Sequence, residues 1–414
     1  MRVLNPMYLT REEERILSGE EGEFPSKALR VIVKVGEVLG ADRLVPISHA
    51  HISGVSYLNI GDAGLEFIEE VANEGLRAKV FTTANPYAVT DIEFKEHHLP
   101  KEFIAKQERV VKALIKIGAK AFTCAPYYVR RPRKGEHLAW AESNAVLYAN
   151  SVCGARTNRE GGPLTLLASL VGRTYFGGLH IDELRKPKKL IIVDKELKGA
   201  DINDELLYGV LGYLIGEESG SDIPYVKGVP QNISELSLRE LLAGAGTSSN
   251  LGLVIIEGIS PEARLYSDQY LHKLERVSIG LNDIKKFIKE HECTETPDLY
   301  IAGCPHLSYD DLMGFLKYLS NSELPKNVDV WLITSDIVRN ELVSKGFIEK
   351  FRRRGVKVIT NVCPVVSPLA MLGVKRVATN SAKALYYLSR LARVKEVCLM
   401  RFNEFIKRLV THGN

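Results

Sequence analysis

Six cysteines in 414 residues, at positions 124, 153, 293, 304, 363 and 398, are too few and too scattered to frame a disulfide-stapled domain. Long apolar runs are missing as well. The strongest, Lys189 to Val193 and Leu251 to Ile256, are strand length and fall far short of the roughly 18 to 20 residues that cross a bilayer, so no membrane span is expected. The N-terminus runs into the charged stretch Arg11 to Arg15 without a signal peptide's apolar core or cleavage site. The expectation is therefore a soluble, cytoplasmic chain with reduced thiols, available for burial, metal ligation or catalysis. An excess of one charge is lacking too: 55 Lys and Arg stand against 51 Asp and Glu, for a net +4. The basic runs Arg130 to Lys134 and Arg352 to Arg354 carry no nucleic-acid-reading motif and read as solvated loops, so no nucleic-acid partner is expected. Glutamine occurs only at positions 107, 231 and 269 while Lys, Arg and Glu abound, a bias that leans toward heat-adapted proteins. Repeats are absent. The glycine-rich stretches Gly154 to Gly162 and Gly244 to Asn250 match no phosphate or dinucleotide fingerprint and read as loops near the mouth of a site.

What is present is an alternation of apolar strand-like runs and amphipathic helical segments, which specifies an α/β protein with mostly parallel sheets. Strands are expected near 44–48, 78–82, 119–123, 189–193, 251–256, 298–302, 329–334, 357–360 and 396–400. Thr10 with Glu13 forms a capping-box pattern for a first helix that ends at Gly19, and a second helix is expected from near Ser26 to Gly40. The polar stretches Arg185 to Lys189 and Gly258 to Asp268 divide the chain into an N-terminal region (1–186), a middle region (187–270) and a C-terminal region (271–414), all α/β.

Three cysteines share one local setting: Lys120-Ala-Phe-Thr-Cys124-Ala-Pro126, Leu299-Tyr-Ile-Ala-Gly-Cys304-Pro305 and Val358-Ile-Thr-Asn-Val-Cys363-Pro364. Each is expected to close a strand, with a following proline that stops regular pairing and holds the thiol at a turn. Ligand sites of parallel sheets gather outside the carboxyl ends of strands, where three such thiols can converge. Three thiolates suit an iron-sulfur cluster. A four-iron cluster held by three cysteines would keep one iron open as a Lewis acid, suited to the loss of water from a hydroxy acid. The competing readings are small buried hydrophobes, a zinc or redox-sensing scaffold, and a Cys-His hydrolase, for which no nucleophile turn is visible. Cys153, Cys293 and Cys398 lack the setting and are assigned to the core or to helix surfaces. His49 and His51, two apart, suit a structural or supporting role better than a metal site.

At these residues the chain resembles the aconitase X family, in particular its archaeal large subunits. The likeness is carried by Ser48-His-Ala-His-Ile-Ser-Gly54-Val-Ser56, Thr83-Ala-Asn85-Pro86-Tyr87, Cys124-Ala-Pro-Tyr-Tyr128, Ala139-Trp-Ala-Glu142-Ser143-Asn144-Ala145, Ala302-Gly-Cys304-Pro-His306 and Thr360-Asn-Val-Cys363-Pro364, in that order. The resemblance implies an aconitase-like large subunit that holds a [4Fe-4S] cluster on Cys124, Cys304 and Cys363. It also implies a heterodimer with a small, swivel-domain-like subunit. Substrate contacts fall on Gly54, Val55, Ser56, Asn85, Pro86, Glu142, Ser143 and Lys383, with Glu142 and Ser143 as catalytic candidates and the base expected on the small subunit. The implied reaction is dehydration of mevalonate 5-phosphate to trans-anhydromevalonate 5-phosphate in the archaeal isoprenoid pathway. Dehydration of cis-3-hydroxy-L-proline or another small hydroxy acid is the alternative. The residue chemistry agrees with those positions: Gly54 admits close approach of an anion, the two serines can donate, Lys383 offers positive charge at a helix start, and Glu142 can orient a hydroxyl or carry a proton. Taken alone, Asn85-Pro86 reads as a common turn, Glu142 as a helix cap and Lys383 as a surface lysine.

Overall fold

The Thr10 hydroxyl accepts the Glu13 N–H, the Glu13 carboxylate accepts the Thr10 N–H at 2.7 Å, and Gly19 ends the helix with φ 89°. Both ends of the first helix thus follow from the capping chemistry of its sequence. The computed structural model describes residues 7–89, 99–194, 197, 199–319, 324 and 328–411. Its longer helices in chain order are α1 (Arg11–Ser18), α2 (Glu23–Val38), α3 (Tyr57–Asn73), α4 (Lys101–Ile117), α5 (Ser143–Ser151), α6 (Gly162–Val171), α7 (Glu205–Ser219), α8 (Glu235–Ser248), α9 (Leu281–Glu290), α10 (Tyr309–Tyr318), α11 (Asp336–Ser344), α12 (Ala382–Arg390) and α13 (Phe402–Thr411). The strands are β1 (Leu44–Pro46), β2 (His49–Ile52), β3 (Phe81–Ala84), β4 (Ala139–Trp140), β5 (Arg173–Tyr175), β6 (Lys189–Val193), β7 (Pro224–Lys227), β8 (Ile255–Ile256), β9 (Glu275–Ile279), β10 (Leu299–Leu307), β11 (Asp329–Thr334), β12 (Val356–Thr360), β13 (Arg376–Thr379) and β14 (Glu396–Leu399).

These strands build three parallel sheets, ordered β3-β2-β4, β8-β7-β6-β9 and β12-β11-β10-β13-β14, beside an antiparallel pair of β1 with β5. The expected α/β architecture is thus realised. Continuous burial along β10 and most of β11 fits strands covered on both faces by helices, the usual condition of parallel sheets. Strands β2, β4, β5, β7, β9 and β13 are additional to the expected set, and the run at 251–256 pairs only over Ile255–Ile256. The run at 119–123 forms no strand; it touches β3 through an isolated Ala84–Phe122 bridge and the Lys120 N–H, which donates to the Thr82 carbonyl at 2.9 Å. Among the described residues no helix is long and apolar enough to cross a membrane.

Two expectations are corrected by packing. Gly244 to Asn250 is largely helix, not loop: Gly244 lies inside α8, where a Cβ would stand 2.2 Å from the Gly209 carbonyl, and one on Gly212 of α7 would stand 1.8 Å from that of Leu241. The glycines let α7 and α8 meet backbone to backbone; their flexibility is not what is used. Cys293 and Cys398 are not separate core thiols but a disulfide, with Cα atoms 5.0 Å apart. An isolated Glu292–Leu399 bridge, with the Leu399 N–H donating to the His291 carbonyl at 2.7 Å, brings the two segments together. The expectation of reduced thiols is therefore overturned at this pair. The polar stretches at 185–189 and 258–268 are also joined, since the buried Arg185 guanidinium pairs with Glu262 at 2.6 Å.

Candidate active site

The carboxyl ends of the first and third sheets open into one cavity of about 300 Å³. Its wall includes Cys124, Cys304 and Cys363 together with Gly54, Val55, Ser56, Asn85, Pro86, Glu142, Ser143 and Lys383. All but Cys304 reach it from the ends of elements or the turns between them. Gly54 makes the turn from β2 into α3 at φ 71°, a conformation L side chains rarely adopt. Asn85 and Pro86 follow β3, Glu142 stands at the N-cap of α5 just after β4, and Lys383 is the second residue of α12, past β13.

The three cysteines arrive differently from one another. Cys124 precedes a helical turn opened by Pro126, and Cys363 caps a 3-10 turn opened by Pro364. Proline at the first helical position begins these turns rather than only ending a strand. Cys304 does not close a strand. The ladder from β10 to β11 pairs Ala302 with Leu332 and next Leu307 with Thr334, so Gly303 to His306 arch out of the sheet before it resumes. The supports interlock: the Cys363 N–H donates to the Tyr87 carbonyl at 2.9 Å, the Ser367 hydroxyl lies 2.8 Å from the Cys363 carbonyl and 2.6 Å from that of Ala88, and the Ser381 hydroxyl donates to the Cys304 carbonyl at 2.6 Å. The Ser56 hydroxyl donates to the Val366 carbonyl at 3.1 Å. It therefore ties the glycine turn to the Cys363 turn, and its proton is not offered to the cavity.

Electrostatically the site has two halves. All three thiols are free, and burial pushes each one up, Cys363 to about 11. The Glu142 carboxylate raises Cys124 and Cys363 further; the Lys383 ammonium lowers all three, but burial outweighs it, so the neutral thiol is favoured. Cys124 Sγ accepts the His306 N–H at 3.2 Å. Opposite them, burial works against the Glu142 charge, but Lys383 more than offsets it and holds the carboxyl well below the usual range. Asn85 and Asn144 donate to the same carboxylate at 2.8 and 2.9 Å, and the Lys383 ammonium also lies 3.3 Å from the Ser143 hydroxyl. Lys383 is buried, not a surface lysine.

Arg159, Asn59 and His306 also line the cavity and were not expected there. Arg159 Nη1 donates to the carbonyls of Gly246 and Ser249 at 3.1 and 2.9 Å, and among the described residues no carboxylate pairs with it. Its signal in the sequence is only a charged residue inside the glycine-rich stretch Gly154 to Gly162. His49 and His51 lie behind the wall, buried, and hydrogen-bond to Thr83.

Comparison with known proteins gives a consistent result. Family models described as the first, second and third domains of aconitase X match residues 6–183, 187–289 and 297–411. A phosphomevalonate dehydratase large subunit of Methanocaldococcus jannaschii is 40% identical over 97% of this chain and 100% of its own length. Its namesake in Aeropyrum pernix is 41% identical over 93% of this chain and 96% of its own. A cis-3-hydroxy-L-proline dehydratase of Pseudomonas aeruginosa is 31% identical over 91% of this chain but 65% of its own length. The crystal structure of Thermococcus kodakaraensis aconitase X in its holo-form superposes with a TM-score of 0.87 at 37% identity, covering 97% of this chain and 100% of that one.

Proposed function

The chain belongs to the aconitase X family, and from that premise we propose that it is the cluster-bearing large subunit of a hydro-lyase dehydrating mevalonate 5-phosphate to trans-anhydromevalonate 5-phosphate. The observation that carries this reading is the division of the cavity: three thiols that burial raises beyond what Lys383 offsets on one side, a fully compensated carboxylate on the other. Cys124, Cys304 and Cys363 fit an iron-sulfur cluster, because metal would supply the positive charge that their burial leaves missing and so favour the thiolates. Among the described residues no three His, Cys, Asp or Glu side chains are arranged to hold a single ion. Ligands of a cluster each take a different iron, so a cluster does not require three side chains within reach of one ion. When bound, such a cluster with three protein thiolates offers an open iron to a substrate hydroxyl as a Lewis acid.

The chain's own residues then orient the substrate and hold its charge. Glu142, kept anionic by Lys383, accepts a hydroxyl hydrogen bond and is too weak a base to take a carbon-bound proton. That base is assigned to a smaller partner subunit, consistent with the name of the archaeal relatives. Arg159, anchored through Nη1, presents charge for a carboxylate or phosphate oxygen. That cation suits the carboxylate of either substrate; the phosphorylated hydroxy acid is favoured because the archaeal relatives match this chain over nearly their whole length.

The test is anaerobic reconstitution with iron, sulfide and the small subunit, followed by assay against mevalonate 5-phosphate and cis-3-hydroxy-L-proline. Turnover of the first, lost when the small subunit is omitted, is expected. Turnover of hydroxyproline alone would overturn the substrate, and one tight zinc without iron would overturn the chemistry.

A further inference from the structure

Behind the cavity wall a line of hydrogen bonds runs from Glu142 into the first sheet, and the direction of every one is forced. Glu142 can only accept, so the Asn85 amide must turn Nδ2 toward it, at 2.8 Å, and Oδ1 away. Oδ1 can only accept as well. His51 Nε2, 2.8 Å from it, must therefore carry a proton. His51 is buried, and that burial lowers it to about 4, so the ring is neutral at physiological pH and its Nδ1 is a bare acceptor. The Thr83 hydroxyl, 2.8 Å from Nδ1, gives its proton there. Thr83 Oγ1 then needs a donor from His49 Nε2 at 2.9 Å. The line ends at His49 Nδ1, which has no hydrogen-bond partner and lies in a ring flanked edge-on by Phe81 and Trp140. A bare lone pair is tolerable in that apolar setting; a second N–H there would be an orphaned donor.

The two oxygens of Glu142 are unequal. Oε1 receives Lys383 and Asn144, with Ser143 at 3.4 Å, whereas among the described residues Oε2 receives Asn85 alone. A carboxylate oxygen accommodates about two hydrogen bonds. Oε2 therefore retains a place for a substrate hydroxyl, and the Asn85 amide fixes its direction.

We propose that His51, Thr83 and His49 are positioning residues: they lock the Asn85 amide so that it donates to Glu142 Oε2 and thereby aim that oxygen at the substrate. This rests on the reading of Glu142 as a substrate contact. The hydrogen-bond directions do not.

Two measurements test it. In wild-type protein labelled with ¹⁵N-histidine, His51 and His49 should both appear as neutral rings protonated at Nε2. Protonation of His51 at Nδ1 would overturn the relay whether or not the enzyme dehydrates either substrate. In the reconstituted two-subunit enzyme, His51→Phe should lower kcat by about 10- to 100-fold with KM little changed, the scale of a misaligned reacting group. His51→Gln, which can restore a donor toward Asn85, should recover much of that loss. An unchanged kcat in His51→Phe, or an equal loss in both variants, would reduce His51 to a packing residue. A variant that fails to fold leaves the tautomer measurement as the deciding one.

Discussion

The two walls of the cavity solve the problem of buried charge in opposite ways. Around Glu142 the protein supplies its own compensation, an ammonium and two amides on one carboxylate. Around Cys124, Cys304 and Cys363 it supplies too little: burial raises the thiols beyond what the Lys383 ammonium and a few backbone N–H groups, such as that of His306 at Cys124, offset. The first wall is complete as folded. The second becomes favourable only with a positive group from outside, as expected where binding energy and ligand deprotonation are coupled. Removing a residue from the first wall should therefore damage the fold, and removing one from the second should damage only what binds there.

The largest effect is expected at Lys383. Lys383→Met leaves the Glu142 carboxylate buried without its cation, and urea unfolding should show a loss of about 3 to 5 kcal/mol. Adding Glu142→Gln should recover most of it, since an apolar and neutral pair leaves no stranded charge. A single-variant loss below about 1 kcal/mol would erase the distinction between the walls. The same pair shapes the pH dependence. Because the folded Glu142 carboxyl lies below the ordinary 4.5, the unfolded chain binds more protons as pH falls. Its stabilisation is present in full above that value and fades below it. Lys383, raised by the same partner against the effect of burial, keeps its contribution throughout the neutral range. Urea midpoints measured from pH 6 down to about 3 should fall more steeply in wild type than in Glu142→Gln/Lys383→Met. Next in size is the Cys293–Cys398 bond, which closes a loop across a sequence separation of 105. Reduction should cost about 2 to 4 kcal/mol, the typical range for a disulfide, read as a lower melting temperature in Cys293→Ser/Cys398→Ser, with iron binding retained.

The sequence made the parallel α/β character legible because long buried strands and amphipathic helices leave periodic traces, and the box at Thr10 and Glu13 is local chemistry that tertiary contacts do not override. Strands β7 and β13 are not legible in the sequence: each is only four residues long, with a proline or a charge at its ends, so neither leaves an apolar run. The α7–α8 contact was illegible for a different reason. Glycines in a helix read as breakers until a facing backbone shows what they make room for. In the site, the recurring cysteine and proline pattern marked three segments that line one cavity, but only Cys363 follows a strand, and the pattern could not show the arch at Gly303 to His306 or the role of Arg159. Both depend on partners far away in the chain, Leu332 to Thr334 and Gly246 to Ser249.

The smallest effect on folding is expected where the effect on binding is greatest. Before reconstitution, Cys124→Ala, Cys304→Ala and Cys363→Ala should each shift unfolding by about 1 kcal/mol or less, in the range of ordinary substitutions that strand no charge. Cys363, half-buried, should shift it least. After anaerobic reconstitution the same variants should lose iron and visible absorbance, because each removes a thiolate that nothing nearby replaces. Cys153→Ala is the control: its thiol is buried and raised by burial too, but it lies outside the cavity, so iron should be retained in full. A cavity thiol whose loss cost several kcal/mol while iron remained bound would belong with the self-sufficient wall of Glu142, and the division between the two walls would fail at that residue.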